Sequence, residues 1–111
     1  EPEYDNLFDN LYDFLIKVMK IYKTPLGSAV IEILISNQQT EAREKFMRDY
    51  FEHNRTILKS IISQHIEEDN QDLFIDIIFS PIYFNILIKP QSLTEAYIEK
   101  MLKMILKAYE V

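Results

Sequence analysis

Cysteine is absent from this 111-residue chain, and glycine occurs once, at Gly27. Without thiols there are no disulfides, no thiolate zinc site and no cysteine nucleophile, and the composition suits a reducing, cytoplasmic interior. Hairpins, phosphate-cradling loops and dinucleotide-binding turns use glycine where the backbone bends sharply or approaches a ligand, so a single glycine nearly excludes those architectures. An excess of basic residues is also missing. The net charge of −6 repels a polyanion, and a symmetric dimer doubles it, so this segment is not expected to bind nucleic acid by itself. The longest apolar stretch, Phe74 to Ile88, is interrupted by Asp76, Ser80, Pro81 and Asn85. It falls short of the roughly 20 residues that span a bilayer, which predicts a buried helix and no membrane contact. No basic, signal-like segment opens the chain, and the start at Glu1-Pro2-Glu3 reads as that of an excised piece.

What is present is ordinary globular material: 48% of residues are hydrophobic and 27% charged, which sets aside disorder, collagen and coiled coil. The length predicts one domain over residues 1–111 with one core. Tyr4, Leu7, Phe8, Leu11, Leu15, Val18, Met19 and Tyr22 recur at the spacing of one helical face, opposite Asp5, Asp9, Asp13 and Lys17. Thr24-Pro25 then reads as an N-cap with proline at the first position of a second helix, running to about Ser36 with Leu26, Val30, Ile33 and Leu34 inward. Asn37-Gln38-Gln39-Thr40 is a polar break. A long helix follows from Glu41 to about Glu68, facing Phe46, Tyr50, Phe51, Ile57, Leu58, Ile61, Ile62 and Ile66 to the core. A solvated turn over Glu67-Glu68-Asp69-Asn70-Gln71 precedes a helix from Leu73 to Ile88. That helix is apolar on nearly every side except a stripe of Asp72, Asp76, Ser80 and Tyr83, and Pro81 predicts a kink in it. A small domain rarely covers two faces of one helix alone, so the extra face implies a partner chain. Thr94 caps the last helix, aligning Ile98, Met101, Leu102, Ile105 and Tyr109. Five helices in an all-α bundle are expected.

Asp76-Ile77-Ile78-Phe79-Ser80-Pro81-Ile82-Tyr83-Phe84-Asn85-Ile86-Leu87-Ile88, followed by Leu93-Thr94-Glu95-Ala96-Tyr97-Ile98, resembles the last two helices of TetR-family C-terminal domains. Those often carry a small residue, proline, a β-branched residue and two aromatics at this place. The likeness covers about the last 40 residues; upstream, only the order of a medium, a short and a long helix fits. Ser80 stands where the family frequently has glycine, and Asn85 where an arginine commonly follows the aromatics. The resemblance implies a bacterial one-component repressor. Its C-terminal domain senses a small-molecule effector, its last two helices pair with their mates in a four-helix dimer bundle, and DNA is bound only through an N-terminal helix-turn-helix. No segment here combines a glycine-containing turn with a basic recognition helix, so that DNA-binding half is absent from this chain.

Seven phenylalanines and seven tyrosines exceed what a small core needs, and tyrosine joins an apolar body to a polar tip. Phe8, Tyr12, Leu15 and Met19 on the first helix, Phe46 and Tyr50 on the long one, and Phe74, Ile78 and Tyr83 on the proline-containing one are the candidates for lining an effector cavity. Plain core packing explains the same spacing. Ile75, Phe79, Ile82 and Ile86, with Ile98, Met101, Leu102 and Ile105, are the expected homodimer interface. Met19, Met47, Met101 and Met104 suit an adaptable wall but are also ordinary core filler. Asp49 with His53, and His65 with Glu68, supply too few ligands for a metal site. Ser36, Ser60, Ser63 and Ser80 lack a nucleophile elbow, so no enzyme activity and no cofactor are expected, only a small, mostly apolar effector of unknown identity. The alternative is a helical protein–protein interaction module without a cavity.

Overall fold

The computed structural model describes residues 6–36 and 38–111; Tyr4, Asp5 and Asn37 lie outside them. The described residues are all-helical, without a strand. The elements are α1 (Leu7–Tyr22), α2 (Pro25–Leu34), α3 (Glu41–Phe46), a π-helical turn (Met47–Glu52), α4 (His53–Ile62), α5 (Glu68–Ile88) and α6 (Glu95–Ala108), with a 3₁₀ turn at Pro90–Ser92. Since α3, the π turn and α4 follow without a break, they form one long helix, and the bundle has five helical units.

Local chemistry sets the boundaries. Asn6, Thr24, Thr40 and Thr94 each accept a hydrogen bond from a first-turn amide, at Asp9 (2.8 Å), Gly27 (3.0 Å), Arg43 (3.1 Å) and Tyr97 (3.2 Å). These satisfy N–H groups that a helix start otherwise leaves unpaired. The long helix stops at Ile62, six residues before the expected end, and the acids expected in a turn instead open α5 from Glu68. Gln71 explains the exchange. It is buried, and its amide donates to the carbonyls of Ile66 (2.9 Å) and Ser63 (3.5 Å), closing the chain ends that the α4–α5 turn exposes.

The core runs through all units: Leu11, Leu15, Val18 and Tyr22 of α1 meet Ile31 of α2, Leu58 and Ile62 of α4, Phe74, Ile78 and Ile82 of α5, and Ile98 and Leu102 of α6. α1 packs against α2, α4 and α6, while α5 covers α2 and α4. In α2 the inward face is Gly27, Val30, Ile31 and Leu34, whereas Leu26, expected inside, is 68% exposed. The reason is the turn: Gly27, not Leu26, sits against α1, where a Cβ would lie 2.1 Å from the Ile21 carbonyl oxygen.

α5 passes through Pro81 as one 21-residue helix, which is long and apolar enough to cross a membrane and longer than the apolar run in the sequence suggests. Here its Phe74, Ile75, Ile78, Phe79, Ile82 and Ile86 are buried within the bundle. The Ser80 hydroxyl donates to the Asp76 carbonyl (2.6 Å) and the Asn85 amide to that of Pro81 (2.7 Å), so side chains occupy the carbonyls around the missing donor. The polar stripe of α5 faces α4: Arg55 reaches Asp72 (2.5 Å) and Asp76 (2.7 Å) and lies 5.5 Å over the Phe51 ring.

Candidate functional site

The π turn sits between two clefts. Met47 and Phe51, four residues apart, line one of about 180 Å³ together with Ile31 and Leu34 of α2, Ile35 just beyond it, Arg43 of α3 and Tyr83 of α5. Asp49 and Tyr50 line another of about 320 Å³ with His53, Asn54 and Ile57 of α4 and Phe14, Lys17, Val18, Ile21 and Tyr22 of α1. A π turn widens the helix by one residue and so re-aims the side chains on either side of it; such turns recur at functional sites. Neither α3 nor the π turn contributes a fully buried side chain, so this half of the long helix is the least anchored part of the bundle.

Tyr83 is the centre of an aromatic cluster, stacked on Phe79 (5.7 Å) and Phe51 (6.4 Å) and edge-on to Tyr22 (5.7 Å). Its hydroxyl is buried without a hydrogen-bond partner among the described residues. Burial raises its pKa, and the adjacent Tyr22 phenol adds to the shift, although the two hydroxyls do not meet at hydrogen-bond geometry. Burial raises the Tyr22 pKa as well; its hydroxyl accepts from the Asn54 amide (3.0 Å). An unpaired buried hydroxyl costs about 1–3 kcal/mol, a cost recovered by any polar group that reaches it.

Of the nine cavity candidates from the sequence, Tyr50 and Tyr83 line these clefts. Phe46 is half-buried, edge-on to Tyr50 at 5.7 Å. Phe8 and Tyr12 stack on each other (5.8 Å) on α1, and burial, then the charges of Glu95 and Glu99, raise the Tyr12 pKa. Leu15, Met19, Phe74 and Ile78 belong to the closed core, Phe74 being held edge-on by Tyr109 at 4.9 Å. Arg43 was not singled out in the sequence, whereas Met47 was named only as a possible wall residue and Phe51 only as a core-facing one. A charged residue such as Arg43 gives no signal in a search for apolar period, and the π insertion at Met47–Glu52 shifts the phase by which Met47 and Phe51 could be assigned to one cleft. His65 and Glu68 border an open depression at the 63–71 turn, and among the described residues no three metal-ligating side chains converge.

The residues expected at an interface are not free on the surface of a single copy. Ile75, Phe79, Ile82, Ile86, Ile98, Met101 and Leu102 are all buried inside a single copy, and Ile105 is half-buried. These side chains hold the monomer together, because α6 covers α1 and α5 covers α2 and α4. The same two helices instead leave Leu73, Ile77, Phe84 and Ile88 of α5 and Met104 of α6 exposed, Phe84 by 54% and Met104 by 65%. Ile77 and Pro81 face Met104, Ile105, Lys100 and Tyr97 across an apolar groove of about 320 Å³. The Asn85 amide donates to the hydroxyl of Tyr97 (3.0 Å), tying α5 to α6. No protein-family model, curated protein or solved structure matches the chain.

Proposed function

We propose that this chain is the effector-sensing and dimerisation part of a TetR-like transcription regulator, pairing through α5 and α6 and touching DNA only through a separate helix-turn-helix. The observation that carries the reading is the uncovered face on the last two helices. Leu73, Ile77, Phe84 and Ile88 follow one another at helical spacing along α5, and Ile77 shares an apolar groove with Met104 of α6. Large contiguous apolar surface of this kind is what a soluble domain covers with a partner. A second copy is the natural occupant, because a twofold axis sets a surface against itself and makes one stripe complementary to its own image. The chain's negative charge does not oppose this locally: Asp72 and Asp76, flanking the stripe, are both engaged by Arg55, and the groove itself carries Lys100. The clefts beside the π turn favour an effector site over a bare interaction module. A ligand held there would bias the long helix, and through it the spacing of two DNA-reading heads, by no more than its difference in affinity for the two arrangements.

The test is a fusion of this chain to a DNA-binding head that represses a reporter only as a dimer. The fusion is expected to repress as strongly as one carrying an authentic dimerisation domain, and Phe84→Glu with Met104→Glu is expected to abolish repression at equal protein level. Repression no better than the isolated head contradicts the reading.

A further inference from the structure

Resting on the effector-sensing reading, we infer that the cleft between α2, the π turn and α5 binds a single-ring aromatic carboxylate, its ring among Ile31, Leu34, Met47, Phe51 and Tyr83 and its carboxylate on Arg43. Size sets the first limit. The cleft measures about 180 Å³, and an apolar cavity of about 150 Å³ takes up benzene; one ring fits and two do not. Wall chemistry sets the second: aliphatic, thioether and aromatic groups form the lining, suited to a flat apolar body.

The charge comes from Arg43. The chain has three arginines. Arg48 lies 3.5 Å from Asp49, and Arg55 is shared by Asp72 and Asp76. Arg43, in a chain of net charge −6, has no carboxylate within ion-pair distance among the described residues. It is half-buried, and its Nε donates to the Leu34 carbonyl at 3.0 Å. That bond closes the C-terminal end of α2 and fixes the guanidinium plane at the cleft. Helix closure uses one of five donors. The two terminal nitrogens keep the planar fork that binds a carboxylate through two parallel hydrogen bonds. A carboxylate on this arginine couples α2 to α3 at one end of the π turn while the ring bears on Met47 and Phe51 within it, so the ligand touches the least anchored part of the bundle.

The experiment titrates benzoate, and benzyl alcohol as the neutral ligand of like shape, into the methyl-labelled chain, reading the Met47 and Ile31 methyl signals by NMR. Benzoate is expected to shift both saturably at millimolar concentration. Arg43→Gln is expected to weaken benzoate about tenfold or more and to leave benzyl alcohol within twofold, while Leu34→Trp, which fills the cleft, abolishes both. Benzoate binding unchanged in Arg43→Gln, or no saturable shift of either methyl, overturns the inference. The mass of the same samples in solution reports separately on dimerisation. A monomer that binds benzoate would refute the regulator reading alone, and a dimer that ignores benzoate would refute the cleft alone.

Discussion

Tyr83 illustrates how one side chain carries both an architectural and a chemical load. Its ring joins α5 to the π turn and to α1, yet its hydroxyl has no hydrogen-bond partner among the described residues. Removing that hydroxyl removes an unpaired buried group and almost no packing, so Tyr83→Phe is expected to be neutral or to stabilise the fold by up to about 1 kcal/mol at neutral pH. The pH dependence has a definite sign. The folded-state pKa lies above the unfolded value of 10.0, so the unfolded chain releases its proton first, and stability present below pH 10 falls as pH rises beyond it. The slope for this one group reaches about 1.4 kcal/mol per pH unit. Urea midpoints at pH 8 and pH 11 should therefore drop less in Tyr83→Phe than in the parent, with Tyr22, also raised by burial, accounting for the remaining decline. An equal drop in both proteins would show that Tyr83 does not titrate as a buried group.

At the scale of elements, the α1–α2 corner depends on Gly27. A methyl there would lie 2.1 Å from the Ile21 carbonyl oxygen and 2.6 Å from the Tyr22 Cα. Both are backbone atoms, so no side-chain rotation relieves the clash and α2 must shift. Alanine gains about 1 kcal/mol of helix propensity over glycine, whereas overpacking of this kind costs about 1–3 kcal/mol and at backbone contacts more. Gly27→Ala is expected to lower the thermal midpoint by several degrees; an unchanged or raised midpoint would mean the two helices separate freely.

The caps at Thr24 and Thr94 and the core face of α1 were legible in the sequence, because each depends on local chemistry or an unbroken 3.6-residue period. Three features were not. The π turn inserts a residue without any punctuating glycine or proline, so the phase of the long helix could not be followed through it. The sequence Glu67-Glu68-Asp69 is polar enough for a turn, but acids also suit a helix start, and only the buried Gln71 decides between them. In α5 the apolar residues occupy both faces, so periodicity identified the helix with a spare face but could not say which face meets α1 and which is left over. The two clefts were hidden for the same reason: Tyr50 and Tyr83 obey the period that core residues obey.

At the scale of the whole molecule, Leu73, Ile77, Phe84, Ile88 and Met104 are the apolar side chains that a single copy leaves exposed on α5 and α6. The residues expected to form the interface are the ones the monomer cannot do without; charging Ile82 would bury a carboxylate in the core and unfold the chain rather than split a dimer. Phe84 and Met104 are the informative positions, since each is more than half exposed in a single copy and a charge there is tolerated by the isolated fold. The decisive measurement is the solution mass by light scattering, taken on the parent chain and on Phe84→Glu with Met104→Glu, with helical content followed in parallel. A parent of twice the chain mass and a variant of single mass with unchanged helicity are the predicted results; a parent of single mass, or a variant that remains dimeric, contradicts the assignment of this face.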